Sequence, residues 1–370
     1  MNKITFYPIG NADCCMVDLD CGKKLLFDFA NYDVEEDSPK INLGETLKKN
    51  LEEEKRKDFD VVAFTHADED HVYGASGFFY FEHAQKYQND HRAKIKELWI
   101  PAAMLIEENP IEDARVIRAE ARYRLKEGKG VRIFSRPERL EKWFKSEGIS
   151  SKDRLHLITH AGEIVPGFSK YKEGIEFFVH SPFSIESDGN EIDRNEASLI
   201  LHGTFNNQKE TKFLMIGDTD SDILEKIVEI TKSKKNNHRL EWDIYDIPHH
   251  CSYLALSNDK GEDITEPVEG VRWLLENGKN YGMFISSSKV IPDNDDDKEP
   301  PHRQAAKCYQ EYAEKIKGEF KVTMEHPSTK NPEPLIIEID DSGAKIKRVS
   351  VTNTGYFFTS QRSPRAGYMK

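Results

Sequence analysis

Short apolar runs alternate with charged stretches along this chain, and their spacing predicts its elements. Two runs open it, Ile4 to Ile9 and Lys24 to Phe29, separated by Gly10, Asn11, Cys21 and Gly22, a pattern of strands joined by turns. Leu43, Leu47 and Leu51 recur among Lys and Glu at helical spacing, which predicts an amphipathic helix over Leu43 to Lys57. A short β-branched strand is predicted from Asp60 to Thr65. From Phe78 to about Ser151 the residues are Arg, Lys, Glu and aromatics at helical periodicity, interrupted by "LWIPAAM" and "VRIFSRP". This stretch reads as a helix-rich insertion or helical layer.

Six further segments predict strands: Leu155 to Thr159, Ile175 to His180, Ser198 to Gly203, Phe213 to Ile216, Ile244 to Ile247 and Met283 to Ser286. Each ends near Gly, Asp, His or Ser, so loops from several strand ends can reach one cleft. "PDNDDDKEPP" reads as an acidic, proline-rich loop, and residues 351–370 as a tail. The chain shows no internal repeat.

At 370 residues with 37% apolar content, the chain can bury a substantial core, read here as one domain over residues 1–350. The formal charge of -13 is the wrong sign for wrapping around a polyanion, which needs clustered Lys and Arg. Any nucleic acid would be held locally, and Arg115, Arg118, Arg122 and Arg124, with Lys289, are the candidate phosphate contacts. Five cysteines without a Cys-x-x-Cys pair read as reduced thiols. With neither a signal-type apolar run nor a membrane segment in the sequence, a soluble cytoplasmic protein is expected.

The chemistry concentrates in "AFTHADEDHVYGAS". His66, Asp68 and Asp70 leave the end of the predicted strand at alternate positions and His71 follows, so imidazole and carboxylate groups can converge on one or two divalent ions. A solvated acidic turn capping the next helix is the plainer reading, but such a turn needs no pair of histidines. "FLMIGDTDSD" ends another apolar strand at Asp218, and "YDIPHHCSY" ends a third at His249 and His250. A carboxylate such as Asp218 can bridge two ions, and a histidine can complete a second coordination sphere.

These stretches together resemble the metallo-β-lactamase fold, in particular the hydrolase domain of ComEC-type competence proteins in standalone form. "THADEDH", "NEASLIL", "MIGDTD" and "IPHHCS" match that family's landmarks in order, and "PIGNADCCMVDLDCGKKLLFDFAN" is similar to its opening stretch, with Asp13 in the turn and Asp28 ending a strand. The resemblance implies an α/β fold, an αββα sandwich with the metal cleft at one edge of the sheets. It implies that His66 and Asp68 bind a first ion, Asp70 and His71 a second, that Asp218 bridges and that His249 completes the second site. His250 is placed beside the substrate, although the two neighbours can exchange roles. Asp70 can orient or deprotonate the attacking water, and Asn195, Ser198, Ser252 and His302 are candidate substrate contacts. Cys251, where the family has glycine, reads as a tolerated small residue.

Asp68 stands where the wider family has histidine, so the first site is poorer in nitrogen. Harder oxygen ligands favour manganese or magnesium while the imidazoles keep zinc open. The resemblance favours phosphodiester hydrolysis of single-stranded nucleic acid or a nucleotide. Hydrolysis of a small ester or thioester, or a metal-binding interaction module with little catalysis, are the other readings.

Overall fold

The computed structural model describes residues 1–33, 39–184, 194–296 and 298–348. The first sheet takes β1 (Asn2–Phe6), β2 (Cys15–Asp18), β3 (Lys24–Phe27), β4 (Asp58–Ala63), β5 (Lys94–Pro101), β6 (Val131–Phe134) and β7 (Ile158–Thr159). The second takes β8 (Ile175–Ser181), β9 (Ile200–Phe205), β10 (Thr211–Met215), β11 (Trp242–Ile247), β12 (Gly278–Ser286) and β13 (Glu319–Val322). The chain then returns to the first sheet through β14 (Leu335–Asp340) and β15 (Gly343–Ile346). The orders are β15-β14-β1-β2-β3-β4-β5-β6-β7 and β13-β12-β11-β10-β9-β8.

From β3 to β7 and from β10 to β13 neighbouring strands run parallel. Each parallel block therefore gathers its carboxyl ends at one edge, where open α/β sheets build ligand sites.

Three apolar layers separate four structural ones. Ile4, Val17, Phe27, Val61 and Trp99 of the first sheet face Phe177, Leu201, Phe213 and Ile285 of the second. Trp99 meets Phe134, Phe168 and Phe177 edge-on at 5.7, 5.5 and 5.8 Å. Such pairs add roughly 0.5–1.5 kcal/mol each beyond their buried area, and the Trp99–Phe177 pair joins the two sheets. The outer face of the first sheet is covered by helices that include α1 (Leu43–Glu53), whose Leu43, Leu47 and Leu51 are buried as their spacing predicts. The outer face of the second carries Ser221–Ser233, Glu269–Glu276 and Arg303–Lys315. This is the expected αββα sandwich.

The stretch from about 78 to 151 is helix-rich, with Glu112–Glu127 and Glu138–Ser146, but it also supplies β5 and β6 to the first sheet. It is a layer woven into the sandwich, because the two interrupting apolar runs are themselves parallel strands. Most of the segment predicted as a strand from Leu155 is a 3-10 turn, Ser151–Leu157, with only Ile158–Thr159 paired. Leu155 is exposed there, so nothing holds it in a sheet. The tail at 351–370 lies outside the described residues. Among those described, no helix is long and apolar enough to cross a membrane.

Candidate metal centre

The metal-ligand motifs singled out in the sequence lie just beyond the carboxyl ends of strands in the parallel blocks. Asp28 follows β3, Thr65 to His71 follow β4, Gly217 and Asp218 follow β10, His249 and His250 follow β11, and Ser287 follows β12. Asp13, in the turn between β1 and β2, joins them through its backbone N–H, which donates to the Asp70 carbonyl at 3.1 Å.

Asp28 is the organiser. It sits at φ 57, a conformation that turns its carboxylate back toward β4. One oxygen accepts from Thr65 N at 2.7 Å, and the other from Thr65 Oγ1 at 2.6 Å and His71 Nδ1 at 2.9 Å. Because the Thr65 hydroxyl spends its proton on Asp28, its lone pair accepts from His66 Nδ1 at 3.0 Å. His250 Nδ1 donates to the Ser287 carbonyl at 2.7 Å. All three imidazoles are thus held by Nδ1, which directs three Nε2 atoms inward, the second-shell pattern of metal-bound histidine.

The Nε2 atoms meet carboxylates. His71 Nε2 lies 3.3 Å from Asp218, 3.6 Å from Asp13 and 4.0 Å from Asp70. His250 Nε2 lies 2.9 Å from Asp70 and 3.6 Å from Asp218. Asp13, His71, Asp218 and His250 offer one ligand atom each within 4.8 Å of one another, and so do His66, Asp70 and His71. His66 Nε2, His71 Nε2 and Asp218 Oδ1 are buried without a hydrogen-bond partner. Buried polar atoms are almost always satisfied, so orphaned donors converging on one point are what a cation site requires.

The carboxylates make the centre favourable to positive charge. Burial opposes a charge on His250, but Asp218, Asp13 and Asp70 overcome it and push its pKa up to about 10. His71 is likewise buried and held well above the usual histidine range by Asp28, Asp218 and Asp70. Burial, helped by neighbouring His71, lowers His66 to about 4, so it is neutral. Burial raises Asp13 to about 6 against the pull of His250 and His71. Burial also opposes ionisation of Asp70, yet His71 and His250 bring it down to about 2.

Two of the expected ligands stand apart. Asp68 belongs to neither donor group, because Arg194 Nη1 holds its Oδ1 at 2.6 Å while its Oδ2 lies 3.5 Å from His66 Nε2. His249 belongs to neither donor group and is 22% exposed, its Nε2 3.9 Å from Asp218 and its Nδ1 3.5 Å from Asp220, and His250 takes the inner position. The cause is backbone: His249, His250 and Cys251 have φ of 52, 50 and 67, three left-handed residues in succession. Strain of order 1–3 kcal/mol at each is retained where it aims a side chain.

Of the expected substrate contacts, Ser252 Oγ accepts from Leu254 N at 3.3 Å and caps its own turn. His302 has both ring nitrogens occupied by backbone, Tyr253 N at 3.4 Å and the Lys298 carbonyl at 3.1 Å. Both ring nitrogens of His302 are thereby used, whereas the Ser252 hydroxyl still has its proton to donate. Asn195 closes a turn by accepting from Ser198 N at 3.2 Å, and Ser198 Oγ packs behind Gly217 beside Thr65. Three of the four arginines are bound structurally: Arg118 donates to the Glu107 and Glu108 carbonyls, Arg122 to that of Leu105, and Arg124 to Glu120 and two carbonyls. Arg115 lies 4.0 Å from Glu112 and stays exposed. Cys251 is buried, which pushes its thiol well above the usual range and keeps it inert.

Asp13, Asp28, Thr65 and Arg194 are the site residues to which sequence reasoning gave no role. Asp13 and Asp28 carried a signal, one in the opening turn and one within the apolar run Leu25 to Phe29, whereas nothing local marks Arg194.

No protein-family model matches the chain, and no curated protein matches it. Among solved structures it is similar to unliganded yeast PDE1, at 11% identity over 87% of this chain and 97% of that one with a TM-score of 0.44. It is also similar to a diphosphatase from the PhnP family, at 11% identity over 78% and 87% with a TM-score of 0.30. A third, provisionally assigned as a metal-dependent hydrolase, is from Parabacteroides distasonis ATCC 8503, at 8% identity over 87% and 93% with a TM-score of 0.35. At such distances no residue's role or substrate carries across.

Proposed function

We propose that this chain is a metal-dependent hydrolase that cleaves phosphodiesters, with a nucleotide-sized ester as its substrate. The observation that carries this reading is the convergence of three Nε2 atoms, each fixed through Nδ1, with the carboxylates of Asp13, Asp70 and Asp218.

His71, His250, Asp218 and Asp13 would hold a divalent cation, zinc or manganese, whose Lewis acidity would acidify a water and offset charge developing on phosphorus oxygens. The chain itself does the positioning. Asp28 and Thr65 fix the tautomers of His71 and His66, and Ser287 fixes that of His250. Asp70, bonded to His250 and held ionised, is placed to orient the water and accept its proton. The phosphorus–oxygen bond to the leaving alcohol then breaks, giving a monoester.

A small substrate is favoured over a long strand for two reasons. The chain is strongly acidic, and Arg118, Arg122 and Arg124 are spent on carbonyls and Glu120. The test is hydrolysis of bis-p-nitrophenyl phosphate and of a labelled single-stranded oligonucleotide, with manganese or zinc, by wild type and by His66→Ala and Asp218→Ala. Turnover of the small ester that Asp218→Ala abolishes is expected. No metal uptake by the wild type, or turnover unchanged in Asp218→Ala, would overturn the reading.

A further inference from the structure

We propose that the centre takes one divalent cation and that the guanidinium of Arg194 stands in for a second; this rests on the metal-dependent reading above. The argument begins with His71, the histidine common to both donor groups. Its Nδ1 is committed to Asp28, so it has a single lone pair, at Nε2, to give. Once that lone pair joins Asp13, Asp218 and His250 around one ion, the other group is left with His66 and Asp70. Asp70 is itself drawn toward the first group by His250, at 2.9 Å. Two ligands do not make a site for a tightly held divalent ion, which needs at least three protein donors.

The residue that would complete a second set is Asp68, two positions beyond His66. Arg194 has taken its Oδ1, leaving Oδ2 3.5 Å from His66 Nε2. Nη1 donates to Asp68 Oδ1 at 2.6 Å, while Nε, at 3.0 Å, and Nη2 both donate to Glu107 Oε1. Glu107 thereby anchors the guanidinium from the far side, and its plane is fixed by three bonds to two carboxylates. Arg194 and His66 line the same narrow cavity, with Met104 and Ala197.

A cation fixed on Asp68 repels a second divalent ion on that side and neutralises the carboxylate that would bind it. It also substitutes for part of what that ion would do. A guanidinium carries five N–H donors, of which three are used here, leaving one on each terminal nitrogen for an anionic oxygen of the substrate. Arg is always charged, so this contribution needs no metal and no particular pH.

The experiment counts ions. Metal-stripped protein is dialysed against excess manganese, and separately zinc, and the bound metal per chain is measured by mass spectrometry for wild type, Arg194→Ala, Arg194→Gln and Asp68→Ala. Circular dichroism checks that each is folded, and Arg194→Gln serves if the alanine variant is not. One equivalent is expected for wild type and for Asp68→Ala. Two are expected for either Arg194 variant, the second at least tenfold weaker than the first. Two equivalents in wild type, one in the Arg194 variants, or loss of the wild-type equivalent in Asp68→Ala would each overturn the inference. Zero in wild type would instead overturn the metal-dependent reading on which it rests.

Discussion

Replacing Asp28 by Asn keeps the shape of the side chain and changes only what it can accept. The carboxylate takes three bonds, from Thr65 N, Thr65 Oγ1 and His71 Nδ1, at 2.7, 2.6 and 2.9 Å. If the amide oxygen faces Thr65 N, the NH2 group faces Thr65 Oγ1 and His71 Nδ1. His71 can then accept only by moving its proton to Nε2, which removes the lone pair aimed at the ion. The Thr65 hydroxyl, now an acceptor, turns its own proton toward His66 Nδ1 and drives His66 to the same wrong tautomer. If the amide flips, a buried Thr65 N–H meets a donor, which costs about 1–3 kcal/mol. Either route removes part of the metal affinity without touching a ligand. Loss of a second-shell partner of this kind weakens binding roughly 10–100-fold, which is about 1.4–2.7 kcal/mol. The assay is calorimetric titration of metal-stripped wild type and Asp28→Asn with manganese and zinc, beside urea unfolding without metal. An Asp28→Asn protein that binds within twofold of wild type and unfolds at the same urea concentration would refute the tautomer argument.

Three other outcomes are expected. A Cβ at Gly217 would lie 2.6 Å from Ser198 Oγ and 2.8 Å from Thr65 Oγ1, so Gly217→Ala should destabilise by roughly 1–3 kcal/mol and lower metal affinity through Thr65, both readable by thermal unfolding and titration. Arg124→Ala removes the guanidinium bonded to the buried Glu120 at 2.6 Å but leaves it the backbone N–H and ring nitrogen of His83, both at 2.9 Å, and should cost about 1–3 kcal/mol with metal affinity unchanged; a loss of phosphodiester affinity instead would return Arg124 to the substrate. His180 donates Nε2–H to the Arg239 carbonyl at 2.9 Å, and burial lowers its pKa to about 4. The unfolded chain takes up that proton near pH 6.5 while the folded one does not, so this residue's contribution to stability is lost as pH falls from 6.5 to 4, by roughly 3 kcal/mol in all. His180→Gln should flatten the pH dependence of urea unfolding in that window, and an unchanged slope would remove the assignment.

Much of this protein follows from sequence alone. The period-2 runs determined most strands of the sandwich and the period-3.6 run its first helix, because burial of one face sets those periods regardless of neighbours, while the three helices over the second sheet, Ser221–Ser233, Glu269–Glu276 and Arg303–Lys315, were not read. The dense motif from His66 to His71 marked the centre, since no surface turn needs that set of groups. The last antiparallel strands were missed although Leu335–Asp340 alternates buried and half-buried positions; the signal was present, as the opening carboxylates of Asp13 and Asp28 were. Other assignments were decided only in three dimensions. Which of His249 and His250 turns inward depends on a left-handed turn that side-chain type does not encode. Whether an arginine faces ligand or carbonyl depends on which helix end lies opposite it. Asp68 is withdrawn from the centre by Arg194, 126 residues away in sequence. Local pattern fixes what each residue can do, but long-range packing selects the partner that uses up its hydrogen bonds, and with it the role that remains.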